Sequence, residues 1–172
     1  RSGDGRGLLV IGRPKPYAIG KINVIAATPD DERNANVLAN CPVVAGRLGT
    51  REKPHGRRAI VVCAGPSLRE TWPHVAMAQN DPETDIFSTS VAHKFLLDRN
   101  IIPRAHLDCD PREHKARQFG TPDRRVEYWL ASCVHPDYIA ALAGHDVKLW
   151  HSYNGVPSEK AVAKADPGRE II

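Results

Sequence analysis

The most constraining feature of the sequence is a regular alternation of short apolar runs and helical patterns, which begins at residue 59. Five runs have the length and composition of strands, and they fall at 59–63, 85–88, 105–108, 126–131 and 147–150. Helical patterns lie between them, near 73–79, 91–99, 111–119 and 136–143. Strands that alternate with helices in this way form right-handed βαβ units. We therefore expect an α/β fold with a doubly wound, mainly parallel sheet of the Rossmann-like type.

The length of the chain suits one domain, because 172 residues can bury a core that needs no disulfides. Residues 1–21 show no periodicity, and we expect them to be poorly ordered. Residues 22–172 should form a single Rossmann-like domain, which opens with a strand over 22–27 and a helix over 31–39. The segment 46–58 is rich in basic residues, glycine and proline, so we expect it to be a connector.

The last residues of the sequence, Ile171 and Ile172, have the character of the start of a further strand. A strand that stops after two apolar residues leaves an apolar sheet edge, and such edges pair with other chains. We therefore expect a sheet that is truncated at its C-terminus, in a chain that self-associates or is a piece of a longer polypeptide.

The four cysteines are widely spaced and form no Cys-x-x-Cys pair. We interpret them as reduced thiols of a cytoplasmic protein. A zinc site built from Cys63, Cys109 and Cys133 with a histidine is disfavoured, because three strand ends would have to converge without any local ligand pair. No apolar run approaches the roughly 20 residues that a membrane-spanning helix requires, and we expect no membrane partner.

The net charge of +4 and the isoelectric point near 9.0 suit an acidic partner. The basic residues concentrate in 47–58 and 112–125, where glycine, proline and acidic residues interrupt them and few aromatic residues are available to stack on bases. We therefore expect a phosphate-bearing small molecule as the partner, and we do not expect nucleic acid.

Ligands of open parallel sheets bind beyond the carboxyl ends of the strands, and this rule selects the candidate site residues. Small, hydroxyl, carboxylate and amide residues follow the predicted strands there. The ligand-binding candidates are Gly65, Pro66, Ser67, Thr89, Ser90, Ser132 and Asn154, and the carboxylate candidates are Asp108 and Asp110.

The turn Gly65-Pro66-Ser67 follows the first predicted strand of the alternating region. Glycine permits a tight turn, and the backbone N–H groups at the following helical turn can face a phosphate. The alternative is that Ser67 and Glu70 form a capping box. Proline prefers the first helical position, so we expect a short turn after Ser67 and a helix that starts near Pro73.

The carboxylates of Asp108 and Asp110 can hold Mg²⁺ against a diphosphate, since this cation takes oxygen ligands and shares them with phosphate. Asp110 has an alternative role as a helix N-cap, because Pro111 follows it and Glu113 lies three residues on. We therefore favour Asp108 as the catalytic, metal-binding residue. We expect Ser90 to act mainly as the N-cap of the helix that follows it.

Two stretches, "VVCAGPSL" from Val61 and "DIFSTSVAHKFLLDRNIIPRAHLDCDPREH" from Asp85, resemble one known family. It comprises the 6-hydroxymethylpterin diphosphokinase-like (MptE-like) Rossmann domains, which include motility-associated glycosyltransferase-like and phage-encoded members. The resemblance spans about 22 to 154. A similar Gly-Pro-Ser turn occurs in some bacterial sialyltransferases, beside the nucleotide sugar. The resemblance implies an ATP or sugar-nucleotide site at which Gly65, Ser67 and Asp108 are the matching positions.

Two classes of function follow from the residues and the resemblance. The first is a nucleotide-dependent transferase, which transfers diphosphate from ATP to a hydroxymethylpterin-like acceptor or a glycosyl group from a nucleotide sugar. The second is a non-catalytic nucleotide-binding or structural module of phage origin. Members of the family continue into a further Gly/Ser-rich turn beyond the point where this sequence stops, so we expect little turnover from this chain alone.

Overall fold

The computed structural model describes residues 28–48, 56–151 and 158–167, which form one six-stranded sheet with helices between the strands. The elements in chain order are α1 Asp30–Asn40, β1 Gly46–Arg47, β2 Arg58–Val62, α2 Leu68–Ala78, β3 Thr84–Thr89, α3 Ala92–Leu97, β4 Ala105–Asp108, α4 Lys115–Gln118, β5 Glu127–Ala131, α5 Pro136–Ala141, β6 Val147–Trp150 and α6 Ser158–Ala165. The prediction of a Rossmann-like α/β fold is confirmed. The strand predicted over 22–27 lies outside the described residues, as do 1–21 and the pair Ile171 and Ile172.

All the strand pairs are parallel, and the strand order is β1-β6-β5-β4-β3-β2. From β2 to β6 each strand lies beside the next one in the chain, as right-handed crossovers through α2, α3, α4 and α5 produce. Ser88, His106 and Tyr128 are register partners on β3, β4 and β5, so their side chains form one row on one face of the sheet. Side chains of α3 and α5 pack against this row.

The core consists of two clusters of buried side chains. The larger one joins α1, α5, α6, β5 and β6, and it includes Val37, Tyr138 and Leu149. The smaller one joins β2, β3, α2 and α3 through residues such as Val75 and Leu96. Both faces of a parallel strand are normally buried, and most of the buried strand residues here belong to the central strands β3, β4 and β5. None of the helices in the described ranges is long and apolar enough to cross a membrane.

The segment that we expected to be a connector, 46–58, contains strand residues at both of its ends. Gly46 and Arg47 form the edge strand β1, and Arg58 begins β2. Two residues are too short for a periodic pattern, and so the sequence did not reveal β1. Gly46 is required there because a Cβ atom would collide with the backbone carbonyl of Val147 on the neighbouring strand β6.

The prediction that the helix after β2 starts near Pro73 is wrong, because α2 begins at Leu68 and contains Pro73. Its first turn is closed by bonds from each N–H to the carbonyl three residues back, including the bond from Leu68 to Gly65. Pro73 and Arg69 are both exposed. Water can therefore reach the carbonyl of Arg69, which loses its usual helical partner at Pro73.

Candidate functional site

The parallel order of β2, β3, β4 and β5 brings the carboxyl ends of these strands to one edge of the sheet. Neighbouring strands lie about 4.8 Å apart, so the turn after β2 and the end of β4 are about 10 Å apart. The candidate Asn154 lies outside the described residues, and the other candidates are located below.

The turn after β2 leaves polar groups without internal partners. The N–H groups of Leu68, Arg69 and Glu70 donate to carbonyls of the turn itself. The N–H groups of Gly65 and Ser67 donate to no described residue, and Pro66 has no N–H. Ser67 lies at the N-cap position but its side chain makes no capping hydrogen bond, so the capping-box alternative is wrong.

Gly65 adopts no left-handed conformation, so a tight turn does not explain this glycine. A Cβ atom added at Gly65 would meet no atom within 4 Å. The open space therefore lies outside the fold, next to the N–H groups of Gly65 and Ser67. A glycine in such a position allows another molecule to approach the backbone closely.

An apolar cleft of about 140 Å³ adjoins this turn. It lies between α2 and α3, and it is lined by Ala64, Gly65, Leu68, Arg69, Val91, Ala92 and Phe95. Arg69 is exposed and forms no ion pair with any described residue. Sequence reasoning missed Arg69, although a signal exists: it is a basic residue in the first turn of a helix, where the helix dipole favours acidic residues.

The turn after β3 connects this cleft to the carboxylates at the end of β4. Ser90 has a φ of 49°, and the N-cap position of α3 is occupied by Val91, so the prediction that Ser90 caps this helix is wrong. The left-handed backbone of Ser90 is costly for a residue other than glycine. The Nζ of Lys115 donates to the Ser90 hydroxyl at 3.3 Å and lies 3.5 Å from an oxygen of Asp110.

Asp110 is not a helix N-cap, because α4 begins at Lys115 and His114 occupies its N-cap position. The carboxylate instead accepts the backbone N–H of Arg112 at 3.1 Å and two bonds from its guanidinium at 2.8 and 2.5 Å. The sequence resembles a helix start here because this Asx turn also places a proline after the aspartate. The bond from Arg112 lowers the pKa of Asp110 to about 2.

Asp108 ends β4 and is half-buried. Burial raises the pKa of its carboxyl group, although the N–H groups of Asp110 and Cys109 oppose the shift. The N–H of Asp110 donates to its Oδ1 at 3.0 Å. The Tyr138 side chain lies near this carboxylate, and burial together with the charge of Asp108 raises the pKa of Tyr138 far above its ordinary value.

Tyr138 is the outer end of a buried hydrogen-bonded chain beneath β3, β4 and β5. His106 Nε2 lies 2.8 Å from the Tyr138 hydroxyl, and His106 Nδ1 lies 3.1 Å from the Ser88 hydroxyl. Ser88 is 3.3 Å from His93 Nδ1, and His93 Nε2 is 3.3 Å from the Tyr128 hydroxyl. The chain ends where the backbone N–H of Asp123 donates to Tyr128 at 2.7 Å.

One assignment of protons gives every ring nitrogen in this chain a suitable partner while both imidazoles remain neutral. Tyr128 donates to His93, His93 donates to Ser88, and Ser88 donates to His106 through its hydroxyl. His106 then donates to the Tyr138 hydroxyl. Burial lowers the pKa of His93 to about 4 and that of His106 to about 3, which keeps both rings uncharged at neutral pH.

Two further candidates do not line the cleft beside the turn after β2. Ser132 is 2% exposed, and its hydroxyl is 3.0 Å from His151 Nδ1. Thr89 is half-buried and pairs in register with Leu107, so its side chain lies on the face opposite Ser88 and His106. The structure thus groups Gly65, Ser67 and Ser90 with two residues that sequence reasoning missed, Arg69 and Lys115.

Comparison with known proteins identifies the class to which this fold and rim belong. The family model described as 6-hydroxymethylpterin diphosphokinase MptE-like matches residues 34–168, and the chain belongs to this family. No curated protein matches the sequence. Among solved structures, the MAf glycosyltransferase from Magnetospirillum magneticum AMB-1 is similar, with a TM-score of 0.57 and 17% identity.

The similarity to the glycosyltransferase covers 81% of this chain and 22% of that one. At this identity the match shows a common fold. The family and the fold together define a transferase-like Rossmann domain, as the resemblance in the sequence implied.

Proposed function

We propose that this domain binds a nucleotide through its phosphate groups at the rim formed by the turns after β2, β3 and β4. The observation that carries the proposal is the grouping of polar donors beside an apolar cleft. The N–H groups of Gly65 and Ser67, the Ser67 hydroxyl and the Arg69 guanidinium lack partners among the described residues. Phosphate oxygens supply the acceptors that such donors require.

The apolar part of the ligand would occupy the cleft between Leu68, Val91 and Phe95. A planar base fits a cleft of this chemistry, because apolar contacts cover its faces while its phosphates extend along the rim. Lys115 lies on the path from Ser90 to Asp110 and would neutralise charge on the second phosphate. These residues give the nucleotide one direction, with its base over α3 and its terminal phosphate towards Asp108.

Magnesium fits one of the two predicted carboxylates. Asp108 accepts a neutral donor, the N–H of Asp110, and it offers an oxygen of the kind that Mg²⁺ shares with phosphate. Asp110 already interacts with the cations Arg112 and Lys115, so it fits poorly as a metal ligand. Bound Mg²⁺ would neutralise the phosphate charge that develops during transfer.

The reaction that we propose is transfer from this nucleotide, and two donor classes fit the rim. One is ATP, with diphosphate transfer to a hydroxymethylpterin-like acceptor, as the family description suggests. The other is a nucleotide sugar, as the fold shared with the MAf glycosyltransferase suggests. In both, Asp108 would be the catalytic residue, and Tyr138 and His106 would be positioning residues that fix its orientation.

The second candidate function is a non-catalytic nucleotide-binding or structural module, including one of phage origin. It is supported by the coverage of only 22% of the similar glycosyltransferase, because the remainder of such a protein can supply the acceptor site. We propose that either form is cytoplasmic, since the four widely spaced cysteines form no Cys-x-x-Cys pair in the sequence and suit a reducing compartment. Self-association remains our proposal as well, and light scattering after size-exclusion chromatography tests it.

A thermal-shift screen with ATP and with nucleotide sugars of the UDP, GDP and CMP classes, with and without Mg²⁺, tests the proposed function. A ligand at a hundredfold excess over its Kd adds about 2.7 kcal/mol of stability. Gly65→Val should abolish this shift and remain folded, because its Cβ meets no protein atom within 4 Å. A variant that binds normally would remove the turn after β2 from the site.

The same screen distinguishes the roles of the carboxylates of Asp108 and Asp110 in Mg²⁺ binding. Asp108→Asn should remove the Mg²⁺ dependence of binding, whereas Asp110→Asn should retain it, because Asp110 is already paired with Arg112. Unchanged Mg²⁺ dependence in Asp108→Asn would contradict the metal assignment while leaving the phosphate site intact.

A further inference from the structure

Three potential metal ligands from distant parts of the sequence converge on the β6 side of the sheet, away from β2. Cys41 follows α1, His151 follows β6 and Asp166 follows α6. One ligand atom from each lies within 4.8 Å of the other two. Cys41 and His151 are buried, and the Asp166 side chain is 15% exposed. The rim site described above contains none of these residues.

We propose that Cys41, His151 and Asp166 form a binding site for one zinc ion. Sulfur, imidazole nitrogen and carboxylate oxygen are the donor types that Zn²⁺ takes in proteins, at distances of about 2.0–2.3 Å. Neighbouring ligands of a tetrahedral ion are therefore about 3.3–3.6 Å apart, and side-chain rotation can bring the three atoms to that spacing. A thiolate also excludes Mg²⁺ and Ca²⁺, which prefer oxygen ligands.

The hydrogen bonds around His151 match those of a metal-ligating histidine. Its Nε2 lies 3.1 Å from Asp166 Oδ2, while its Nδ1 lies 3.0 Å from the Ser132 hydroxyl. When Nε2 binds the ion, the ring proton moves to Nδ1 and is donated to Ser132. A ligating histidine almost always has such an outer acceptor, which fixes its orientation. The Cys41 thiol releases its proton to solvent in the same step.

The positive charge of Arg47 opposes binding of the zinc ion. Its guanidinium pairs with the Asp166 carboxylate, and it also donates to the carbonyl of Cys41. Without metal, the charges of Arg47 and Asp166 cancel. With Zn²⁺ and a Cys41 thiolate the cluster carries one net positive charge, which an anionic fourth ligand such as hydroxide would balance. We therefore expect a lower affinity than that of a structural site with four protein ligands.

The position of the cluster indicates what zinc would do. The ligands join the ends of α1, β6 and α6, and α1 and α6 pack along each other. Zinc would thus stabilise the attachment of α6 to the sheet, as a structural ion does when its ligands come from separate elements. This role does not depend on the proposed nucleotide site, so either proposal can fail without the other.

Titration with Co²⁺, followed by absorption spectroscopy, tests the site in the whole chain. We expect one equivalent of Co²⁺ to produce a thiolate charge-transfer band, and Zn²⁺ to displace it. Cys41→Ser should lose this band, and His151→Gln should weaken binding at least tenfold. The matched controls are Cys63→Ser, which removes an exposed thiol, and Cys133→Ser, which removes a buried one. Both should retain the band and the stoichiometry.

Arg47→Gln tests the charge argument independently, and it should raise the affinity for Zn²⁺ by about tenfold or more because a neighbouring positive charge is removed. Circular dichroism of every variant confirms that it is folded before titration. The proposal is overturned if the folded wild-type chain gives no charge-transfer band, or if folded Cys41→Ser gives the same band as the wild type. Lower zinc affinity in folded Arg47→Gln would also contradict it.

Discussion

Two polar regions of this molecule, the buried chain from Tyr128 to Tyr138 and the exposed rim around Gly65 and Arg69, differ in how their groups are satisfied. In the buried chain, His93 and His106 are both 0% exposed, and each ring nitrogen has a partner. On the rim, the N–H groups of Gly65 and Ser67 and the guanidinium of Arg69 have no hydrogen-bond partner in the described part of the protein. The contrast separates groups that stabilise the fold from groups available to a ligand.

Asp108 is the residue where the two regions meet. On its inner side its charge acts on Tyr138, the last member of the buried chain, and on its outer side it ends β4 at the rim. Substitutions within the buried hydrogen-bonded chain should therefore lower stability, and they should weaken binding only by changing the orientation of Asp108. Changes around Gly65 and Arg69 should affect binding alone.

The largest expected effect is on the pH dependence of stability. The pKa values of about 4 for His93 and about 3 for His106 lie below the value of about 6.5 in the unfolded chain. The unfolded state therefore takes up more protons below pH 6.5, and the free energy of unfolding falls as the pH drops towards 4. Each histidine contributes about 1.4 kcal/mol per pH unit, or about 5 kcal/mol for both between pH 6 and 4.

Denaturant unfolding at pH 6, 5 and 4 measures this dependence. His93→Gln should reduce the slope by about one histidine's share, whatever it does to absolute stability. His114→Gln, which changes an exposed histidine, is the matched control and should leave the slope unchanged. Equal slopes in His93→Gln and the wild type would mean that His93 does not remain neutral in the folded protein.

A smaller loss of stability should follow when the buried hydrogen-bonded chain is interrupted at its middle. His106→Leu removes both bonds of the ring and leaves the hydroxyls of Ser88 and Tyr138 with fewer partners. We expect the free energy of unfolding at pH 7 to fall by about 2–3 kcal/mol. His114→Leu should stay within about 0.5 kcal/mol of the wild type. A similar loss in both variants would refute the structural importance of the chain.

The strands could be predicted from the sequence because their information is local. Ala105–Asp108 and Val147–Trp150 are short runs that contain apolar residues and have turn residues beside them, and the structure has the same bounds. The buried chain could not be predicted, since Ser88, His106 and Tyr128 come from three strands and meet only through sheet register. No pattern within one strand carries that information.

The strand-end positions of the candidate rim residues follow from the sequence, whereas the structural roles of two of them do not. The rule of strand ends selected Gly65, Ser67 and Ser90, but the caps assigned to Ser90 and Asp110 were wrong. Both residues have side chains that suit a helix start, and the helices begin later because local turns take precedence. Lys115 joins Ser90 to Asp110 only through tertiary contact, which sequence spacing does not reveal.

A rim variant should show the opposite behaviour from the buried histidines. Arg69→Gln should weaken binding of the nucleotide found in the thermal-shift screen by about tenfold, or 1.4 kcal/mol. Its stability without ligand should change by less than about 0.5 kcal/mol, because Arg69 forms no ion pair among the described residues. Isothermal titration calorimetry measures the affinity.

Arg117→Gln is the matched control for this prediction. Arg117 is also an exposed arginine, but it pairs with Glu113 at 2.8 Å on α4 and does not line the cleft. Equal loss of affinity in the two variants would indicate a general effect of positive charge, and would remove Arg69 from the site.

The smallest expected effect concerns Pro73, the residue near which the sequence wrongly predicted the start of α2. A proline inside a free helix costs about 3 kcal/mol relative to alanine, yet α2 accommodates it on its exposed side, where water can solvate the carbonyl of Arg69. Pro73→Ala would restore an N–H donor. It would also increase the conformational entropy of the unfolded chain, which lowers the free energy of unfolding by about 0.4–1 kcal/mol.

We therefore expect Pro73→Ala to raise the free energy of unfolding by no more than about 1 kcal/mol, with nucleotide affinity unchanged. His74→Ala, an exposed neighbour in the same helix, provides the baseline. If Pro73→Ala weakened nucleotide binding, the proline would be shaping the first turn of α2, and the orientation of the Gly65 and Ser67 N–H groups would depend on it. The division between a stabilising interior and a binding rim would then extend one turn into the helix.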